Sequence, residues 1–397
     1  MKIAVDVRPL LGSEPSGVGE YTLNLLKEIF KQDQANQYVL FYNVYKIGYD
    51  KLILKNFANK YKNVSIVASH WPNKILDFCL KFINYPKLDK FVGGVDLFWA
   101  PNLHYLSVSK DCRLALTVHD VSFKVFPEFF SWRKRLWHSF LGANPVQVFK
   151  RADILFAVSA NTKKDLVNFY QLSAEKIKVT PLAVDQDFLD FQKNILENNL
   201  AENLVDVKQK YNLPNNFILS LSTLEPRKNT CSLIKAFNLL KSTNQAEYKN
   251  LELVIAGGQG WCYGDIYQAV ASSPFSLQIK LLGYVNRKDK PCLYHLAKVF
   301  VWPTFYEGFG LPPLESMACG TPVIASAVSS LPEVVGEAAA LVNPFDAGEI
   351  VIALEQVLAS KDLRNDLSKS GFLQVAKFSW QTTAKKTLEE LLDNISS

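Results

Sequence analysis

No two of the six cysteines, at positions 79, 112, 231, 262, 292 and 319, stand at a C-x-x-C spacing. A chain long enough to bury a full core does not need disulfides, so these residues read as reduced thiols of a cytosolic protein. No run approaches the roughly 18 apolar residues of a membrane span, and stretches such as "ILFAVSA" have the length of buried strands. The opening "MKIAVDVRPLLG" is broken at once by Asp6 and Arg8, which makes a poor secretory leader. "SGVGEY" holds only Gly17 and Gly19 after an apolar run. It lacks the third glycine and the following acid of a dinucleotide fingerprint, which argues against NAD. No RNA-binding motif is present either.

What is present is an ordinary globular composition, 48% apolar and 21% charged, in 397 residues. That length exceeds one ordinary core and points to two domains. The net charge of +6 is uneven. Residues 1–190 hold 25 Lys+Arg against 18 Asp+Glu, and the remainder holds 19 against 20. The basic half should face something anionic: nucleic acid, an acidic membrane surface or a phosphorylated substrate.

Short β-rich runs alternate with amphipathic stretches. "KIAVDV", "QYVLFYN", "VSIVA", "DLFWAP", "RLALTVHD", "DILFAVS" and "KIKVTPLA" read as strands. "SGVGEYTLNLLKEIF" reads as a glycine loop opening a helix, with Leu23, Leu26 and Phe30 along one face. The pattern breaks near residues 190–212 and then restarts with "FILSLS", "LELVIAGG", "IKLLG", "VFVWP", "PVIAS" and "AALVNP". The expectation is an α/β chain of two Rossmann-like domains facing a cleft. Residues 1–190 with about 379–397 form the first, and residues 191–378 the second. Ligands in such sheets bind at the carboxyl ends of the strands.

The densest chemical signal is "TFYEGFGLPPLESMACGTPVIAS". Glu307 lies just past a strand, Pro312 and Pro313 fit a first helical turn, and Gly320 suits the helix end. Glu315 is expected in the first turn. The N–H groups of Phe309, Gly310 and Leu311 then form an anion site between two carboxylates able to bind hydroxyls, which suits a nucleotide sugar. The plain alternative is that Glu315 offsets the helix dipole and Glu307 is solvated. "STLEPRKN" places Arg227 and Lys228 past another strand, where they could neutralise a diphosphate; alone, such a pair is a solvated turn. Gly17 and Gly19 would let the backbone approach a phosphate or substrate. His119 and Asp120 in "TVHD" could contact a sugar and act as base, or serve as a structural histidine and a cap. Asp185 and Asp187 have a metal-like spacing but read as helix-start or linker carboxylates; no metal is assigned.

"EGFGLPPLE", supported by "EPRKN", "AGG" and "LGYV", resembles the retaining glycosyltransferases of family 4, which have the GT-B fold. The resemblance covers nearly the whole chain and is strongest over 217–345. It implies that Glu315 holds the ribose hydroxyls. Glu307, with Phe309, Gly310 and Leu311, would hold the donor sugar. Arg227 and Lys228 would bind the diphosphate, and Gly283, Tyr284 and Val285 would line the base pocket. Gly17 and Gly19 would approach the phosphate or acceptor, and His119 would reach the sugar. The last helix would cross back to the first domain, and no metal or other cofactor is implied. "PLAVD" lacks the asparagine-glycine pair many members carry there. "VDVRPLLGSEPSGVGEY" and "TVHDVSF" look most like bacterial mannosyltransferases of polysaccharide assembly. That points to GDP-mannose, to a glycan or lipid-linked acceptor, and to a cytoplasmic enzyme at the inner face of the membrane. A UDP-sugar donor, an epimerase or phosphorylase of similar fold, and a non-catalytic nucleotide-sugar or nucleic-acid binder are the alternatives.

Residues 126–151 mix Arg133, Lys134, Arg135, Lys150 and Arg151 with Phe129, Phe130, Trp132 and Trp137. This suits contact with an anionic bilayer; otherwise the aromatics pack into the protein and the cations are solvated.

Overall fold

The computed structural model describes residues 1–11, 17–45, 52–130, 145–197, 199, 201–243 and 245–393. Contacts divide the chain into two compact units, residues 1–121, 134–182 and 380–397, and residues 122–133 and 183–379.

The first unit is built on a seven-stranded parallel sheet. Its strands are β1 (Lys2–Asp6), β2 (Gln37–Asn43), β3 (Val64–Ser69), β4 (Leu97–Ala100), β5 (Arg113–Val118), β6 (Ile154–Ala157) and β7 (Ile177–Val179). Their order is β3-β2-β1-β4-β5-β6-β7. A parallel sheet is covered on both faces, so its central strands are continuously apolar. Ile3, Ala4 and Val5 of β1 are accordingly inaccessible to solvent. Gly17 and Gly19 lie inside the first turn of the helix Gly17–Gln32 rather than in a loop before it. That helix buries Tyr21, Leu25, Leu26, Ile29 and Phe30, while Leu23 is only half-buried. The reason is a second partner. The last helix, Trp380–Asp393, packs against this one, setting Trp380 5.9 Å from the Tyr21 ring. Thr383 Oγ1 donates to the Pro181 carbonyl at 2.6 Å and Gln32 Nε2 to that of Gln381 at 3.0 Å. The last helix thus packs in the unit that holds the first strand, as expected.

The second unit has six parallel strands, β8 (Phe217–Leu221), β9 (Glu252–Ala256), β10 (Ile279–Gly283), β11 (Val299–Trp302), β12 (Val323–Ser326) and β13 (Ala339–Val342). Their order is β10-β9-β8-β11-β12-β13. Ile218, Leu253, Val299 and Ile324 from four strands join Leu233, Phe237 and Leu354 from the flanking helices in one core. The contact division falls at 182/183, ahead of the helix Gln186–Leu196, whose Phe188 ring lies 6.2 Å from Tyr294.

Residues 122–130 also join the second unit. Phe129 stacks on Phe305 at 5.2 Å, Phe130 on Trp261 at 5.6 Å, and Trp261 Nε1 donates to the Phe129 carbonyl at 2.8 Å. Stacked aromatics bury large areas. Phe130 is therefore buried and Phe129 half-buried against the protein rather than offered to a bilayer. Arg151 is also engaged, donating to the carbonyls of Ser109 and Cys112 and pairing with Asp153. Arg133, Lys134, Arg135, Trp132 and Trp137 lie outside the described residues.

One glycine fixes the approach of the β9 loop to the β8 loop. Gly257 has φ of +132°, and a Cβ there would stand 1.8 Å from the Ser222 carbonyl oxygen. Its N–H also donates to the Gly283 carbonyl at 2.7 Å. A rigid backbone atom cannot yield as a flexible side chain does. Gly257→Ala is expected to lower stability by about 3 kcal/mol or more, read as the shift in denaturant midpoint.

Candidate active site

The carboxyl ends of β8 and β11, neighbours at the centre of the second sheet, carry the charged residues of the site. After β8 the chain turns through Pro226–Lys228 to Asn229, which sits in the left-handed region at φ 56°. Asparagine tolerates that conformation better than most residues. Its amide donates to the carbonyls of Pro303, at 2.9 Å, and Pro344, at 2.7 Å. The loop after β8 is thereby tied to those after β11 and β13.

Arg227 and Lys228 are consequently brought to Glu307. Lys228 Nζ lies 2.6 Å from Glu307 Oε1, and Arg227 Nη1 lies 3.1 Å from Oε2. Arg227 also reaches Glu225 Oε1 at 2.7 Å and donates to the Tyr306 carbonyl at 2.7 Å. Neither cation is the solvated turn residue of the plain alternative; each side chain is about one-tenth exposed (12% and 11%). The Lys228 ammonium also sits over the Trp302 ring, 4.7 Å from its centroid. Burial, with Arg227 beside it, holds the Lys228 pKa below the ordinary lysine value, while Glu307 and Glu225 oppose that shift. Two carboxylates and two cations make a formally neutral cluster.

The Glu307 main chain is held at both ends by two serines from the loop after β12. Its N–H donates to Ser329 Oγ at 2.9 Å. Ser330 Oγ lies 2.9 Å from the Glu307 carbonyl oxygen and 2.7 Å from that of Phe309, placed to donate to either. Ser330 is fully buried. The sequence "SLPE" around it has the S-x-x-E form of a helix cap, yet its hydroxyl makes no cap bond to the helix Leu331–Val335. It serves the glutamate turn instead.

Gly310, at φ 108°, caps the helix Leu311–Ala318 without a side-chain bond, and the prolines fall in its first turn as expected. The first N–H groups of a helix have no partner within it, so a turn of this kind can receive an anion. Glu315 does not lie in that first turn. It is the fifth residue of the helix, is buried, and accepts a hydrogen bond from the Tyr294 hydroxyl at 2.8 Å. A carboxylate this far along is poorly placed to offset the helix dipole. At the end of β10, Gly283 takes φ +71°, Val285 is packed inward and Tyr284 is 55% exposed.

Of the remaining sequence-derived residues, Gly17, Gly19, His119 and Asp120 belong to the first unit, and Asp185 and Asp187 to the second. Gly17 is exposed, with no atom within 4 Å of a Cβ built there, whereas Gly19 is buried. His119 follows β5 directly. Its Nε2 is 2.8 Å from the Pro101 carbonyl, which requires Nε2 to be the protonated nitrogen of the neutral ring. Its ring meets Tyr21 edge-on at 4.7 Å. Burial lowers its pKa below 6.5, against weaker opposing effects of that carbonyl and of Asp120. Asp185 is paired with Arg287, and Asp187 lies 4.0 Å from the same guanidinium. Among the described residues no three His, Cys, Asp or Glu side chains gather as a metal site. Sequence reading left Glu225, Asn229, Tyr294, Ser329 and Ser330 without roles. Glu225 and Asn229 stood within the quoted "EPRKN"; no local signal marks the other three for this site.

Residues 15–188 match the family model described as Glycosyltransferase Family 4, and residues 205–374 that described as Glycosyl transferases group 1. The chain is 29% identical over 382 residues to the O-antigen chain mannosyltransferase B of Escherichia coli, covering 94% of this chain and 95% of that protein. It is 35% identical over 250 residues to the serotype-specific mannosyltransferase WbdA of the same species, but this match covers 62% of the chain and only 29% of that longer protein. HepE of Anabaena, solved in complex with UDP and glucose, superposes with a TM-score of 0.69 over 98% of this chain and 99% of its own; at 16% identity that likeness is one of fold.

Removing Glu307 leaves two buried cations with less compensation. Glu307→Ala is expected to cost about 3 kcal/mol of stability, and Ser330→Ala about 1 kcal/mol, both measured by chemical denaturation. In an NMR titration, the His119 ring is expected to remain neutral as pH falls through 6.5 and to protonate only below it. A midpoint above 6.5 would contradict the buried, carbonyl-bound ring.

Proposed function

The chain belongs to the family 4 glycosyltransferases, and we propose that it moves mannose, with retention of configuration, from GDP-mannose to a glycan or lipid-linked acceptor in cell-surface polysaccharide assembly. The observation that carries the donor site is the meeting of Arg227, Lys228 and Glu307 across the ends of β8 and β11. A diphosphate replaces the Glu307 carboxylate as the anion facing the two cations. Glu307, still fixed through its main chain by Ser329 and Ser330, turns to the hydroxyls of the donor sugar. The N–H groups at Phe309, Gly310 and Leu311 receive remaining negative charge. Glu315, oriented by Tyr294, accepts from the ribose hydroxyls.

Departure of the nucleoside diphosphate is the demanding step, because negative charge grows on its leaving oxygen. Two cations and a helix N-terminus already in place stabilise that charge without reorganising water. Protein cations supply the positive charge in this reading, and no metal is given a role. In paired-carboxylate glycosidases the two acids flank the scissile bond; here both are assigned to donor binding. The acceptor hydroxyl attacks from the face the diphosphate leaves. A trapped glycosyl–enzyme adduct would contradict that path.

The mannose assignment rests on relatives named as mannosyltransferases. A UDP-sugar is the second reading, favoured by the fold likeness to HepE with bound UDP. Donor hydrolysis and binding across a panel of nucleotide sugars, with and without EDTA, tests both. Turnover selective for GDP-mannose, unaffected by EDTA and reduced at least tenfold in Glu315→Ala, is expected. Turnover of a UDP-sugar alone would remove mannose and keep the site. Absence of binding to every nucleotide sugar, with nucleic acid retained at physiological salt, would replace the transferase reading with a binding protein.

A further inference from the structure

Between β3 and β4 the first unit exposes apolar surface in a concentrated run. The helix Asn73–Phe78 continues into a π-helical turn, Cys79–Ile83. Leu76 and Leu80 point into the unit and are buried. Ile75, Phe78, Phe82, Ile83 and Tyr85 point outward, and each is 51–60% exposed. The Phe78 and Phe82 rings lie 5.0 Å apart and form one ridge. A helix apolar on both its inner and its outer face has a second burial partner.

The charges around the ridge indicate what that partner is. Lys74 is exposed and Lys87 half-exposed. The Lys81 ammonium is buried over the Phe82 and Tyr105 rings, 4.7 and 5.7 Å from their centroids, so the exposed cations beside the ridge are Lys74 and Lys87. The nearby acids are turned away or engaged. Asp77 is half-buried and faces Arg8. Asp89 is buried and accepts from the Ser109 N–H at 2.8 Å. Asp111 pairs with exposed Lys90 at 2.9 Å. An apolar ridge with a cationic rim repels a second copy of itself in a two-fold pairing and attracts an anionic surface.

We infer that Ile75–Tyr85 is an interfacial anchor that seats the first unit on an anionic lipid bilayer. The helix and turn are far too short to span a membrane, and no helix among the described residues is long and apolar enough to do so. The ridge therefore enters the headgroup region while Lys74 and Lys87 meet lipid phosphates. The surface is distinct from the donor residues and does not rest on the identity of the donor.

Flotation of the full-length protein with vesicles tests it, using phosphatidylcholine alone or with 30 mol% phosphatidylglycerol at physiological salt. Binding to the anionic vesicles is expected to exceed binding to the neutral ones at least tenfold. It should fall at least tenfold in both Phe78→Ser/Phe82→Ser and Lys74→Glu/Lys87→Glu. Leu277→Ser, at a fully exposed leucine of the second unit, should bind like wild type, and melting temperature and donor hydrolysis should be unchanged in all three. The lysine variant keeps the test intact if the phenylalanine variant fails to fold. No binding by wild type, equal binding to neutral vesicles, or binding unchanged in the lysine variant would each overturn the inference. So would a wild-type dimer, seen by light scattering, that the phenylalanine variant converts to monomer, because the ridge would then be a self-association surface.

Discussion

Glu307 is a carboxylate held in a site with little water, facing two cations that arrive from another strand. Its burial would be costly without them, and theirs without it. Much of the local architecture serves that meeting. Asn229 ties the β8 loop to two other loops, and Arg227 Nη1 and the Arg227 carbonyl bind the β11 loop at Tyr306 and Phe305. Ser329 and Ser330 fix the Glu307 main chain. A side chain whose backbone is pinned can exchange its ionic partner without disturbing the fold. That property fits the proposed exchange of protein cations for a ligand at Glu307.

The parallel sheet explains why those loops meet at all. Every strand of the second unit runs in one direction, so every strand-to-helix loop emerges at one edge. Close approach of the Ser222 backbone leaves room only for glycine at Gly257, and a positive φ with the Leu331 side chain alongside favours glycine at Gly310. The short segment 122–130, which leaves β5 just after His119 and Asp120, docks on the same unit through Phe129 on Phe305 and Phe130 on Trp261. The residue after Phe305 supplies the carbonyl that Arg227 binds. The aromatic stack and the charged cluster thus share the β11 loop.

The two halves of the molecule present different surfaces for different tasks. The second concentrates charge in a small neutral cluster suited to a phosphate-bearing donor. The first carries the excess of basic residues and the outward ridge at Ile75–Tyr85.

The strand runs were legible in the sequence because parallel strands are buried on both faces and so are continuously apolar. "QYVLFYN" coincides with β2. The glutamate turn and "EPRKN" were legible because glycine, proline and charge at strand ends are local signals. The amino-acid order by itself determined these elements, their alternation and the residue types at the sheet edge. Only the tertiary structure decided which charges pair. Glu307 meets Lys228 across 79 positions, and periodicity carries no information over such a separation. It also set Glu315 against Tyr294, widened the buried face of Gly17–Gln32 by adding the last helix, and drew Phe129 and Phe130 inward. In each case the deciding partner lies far away in the chain, and its position is set by packing rather than by any neighbouring residue.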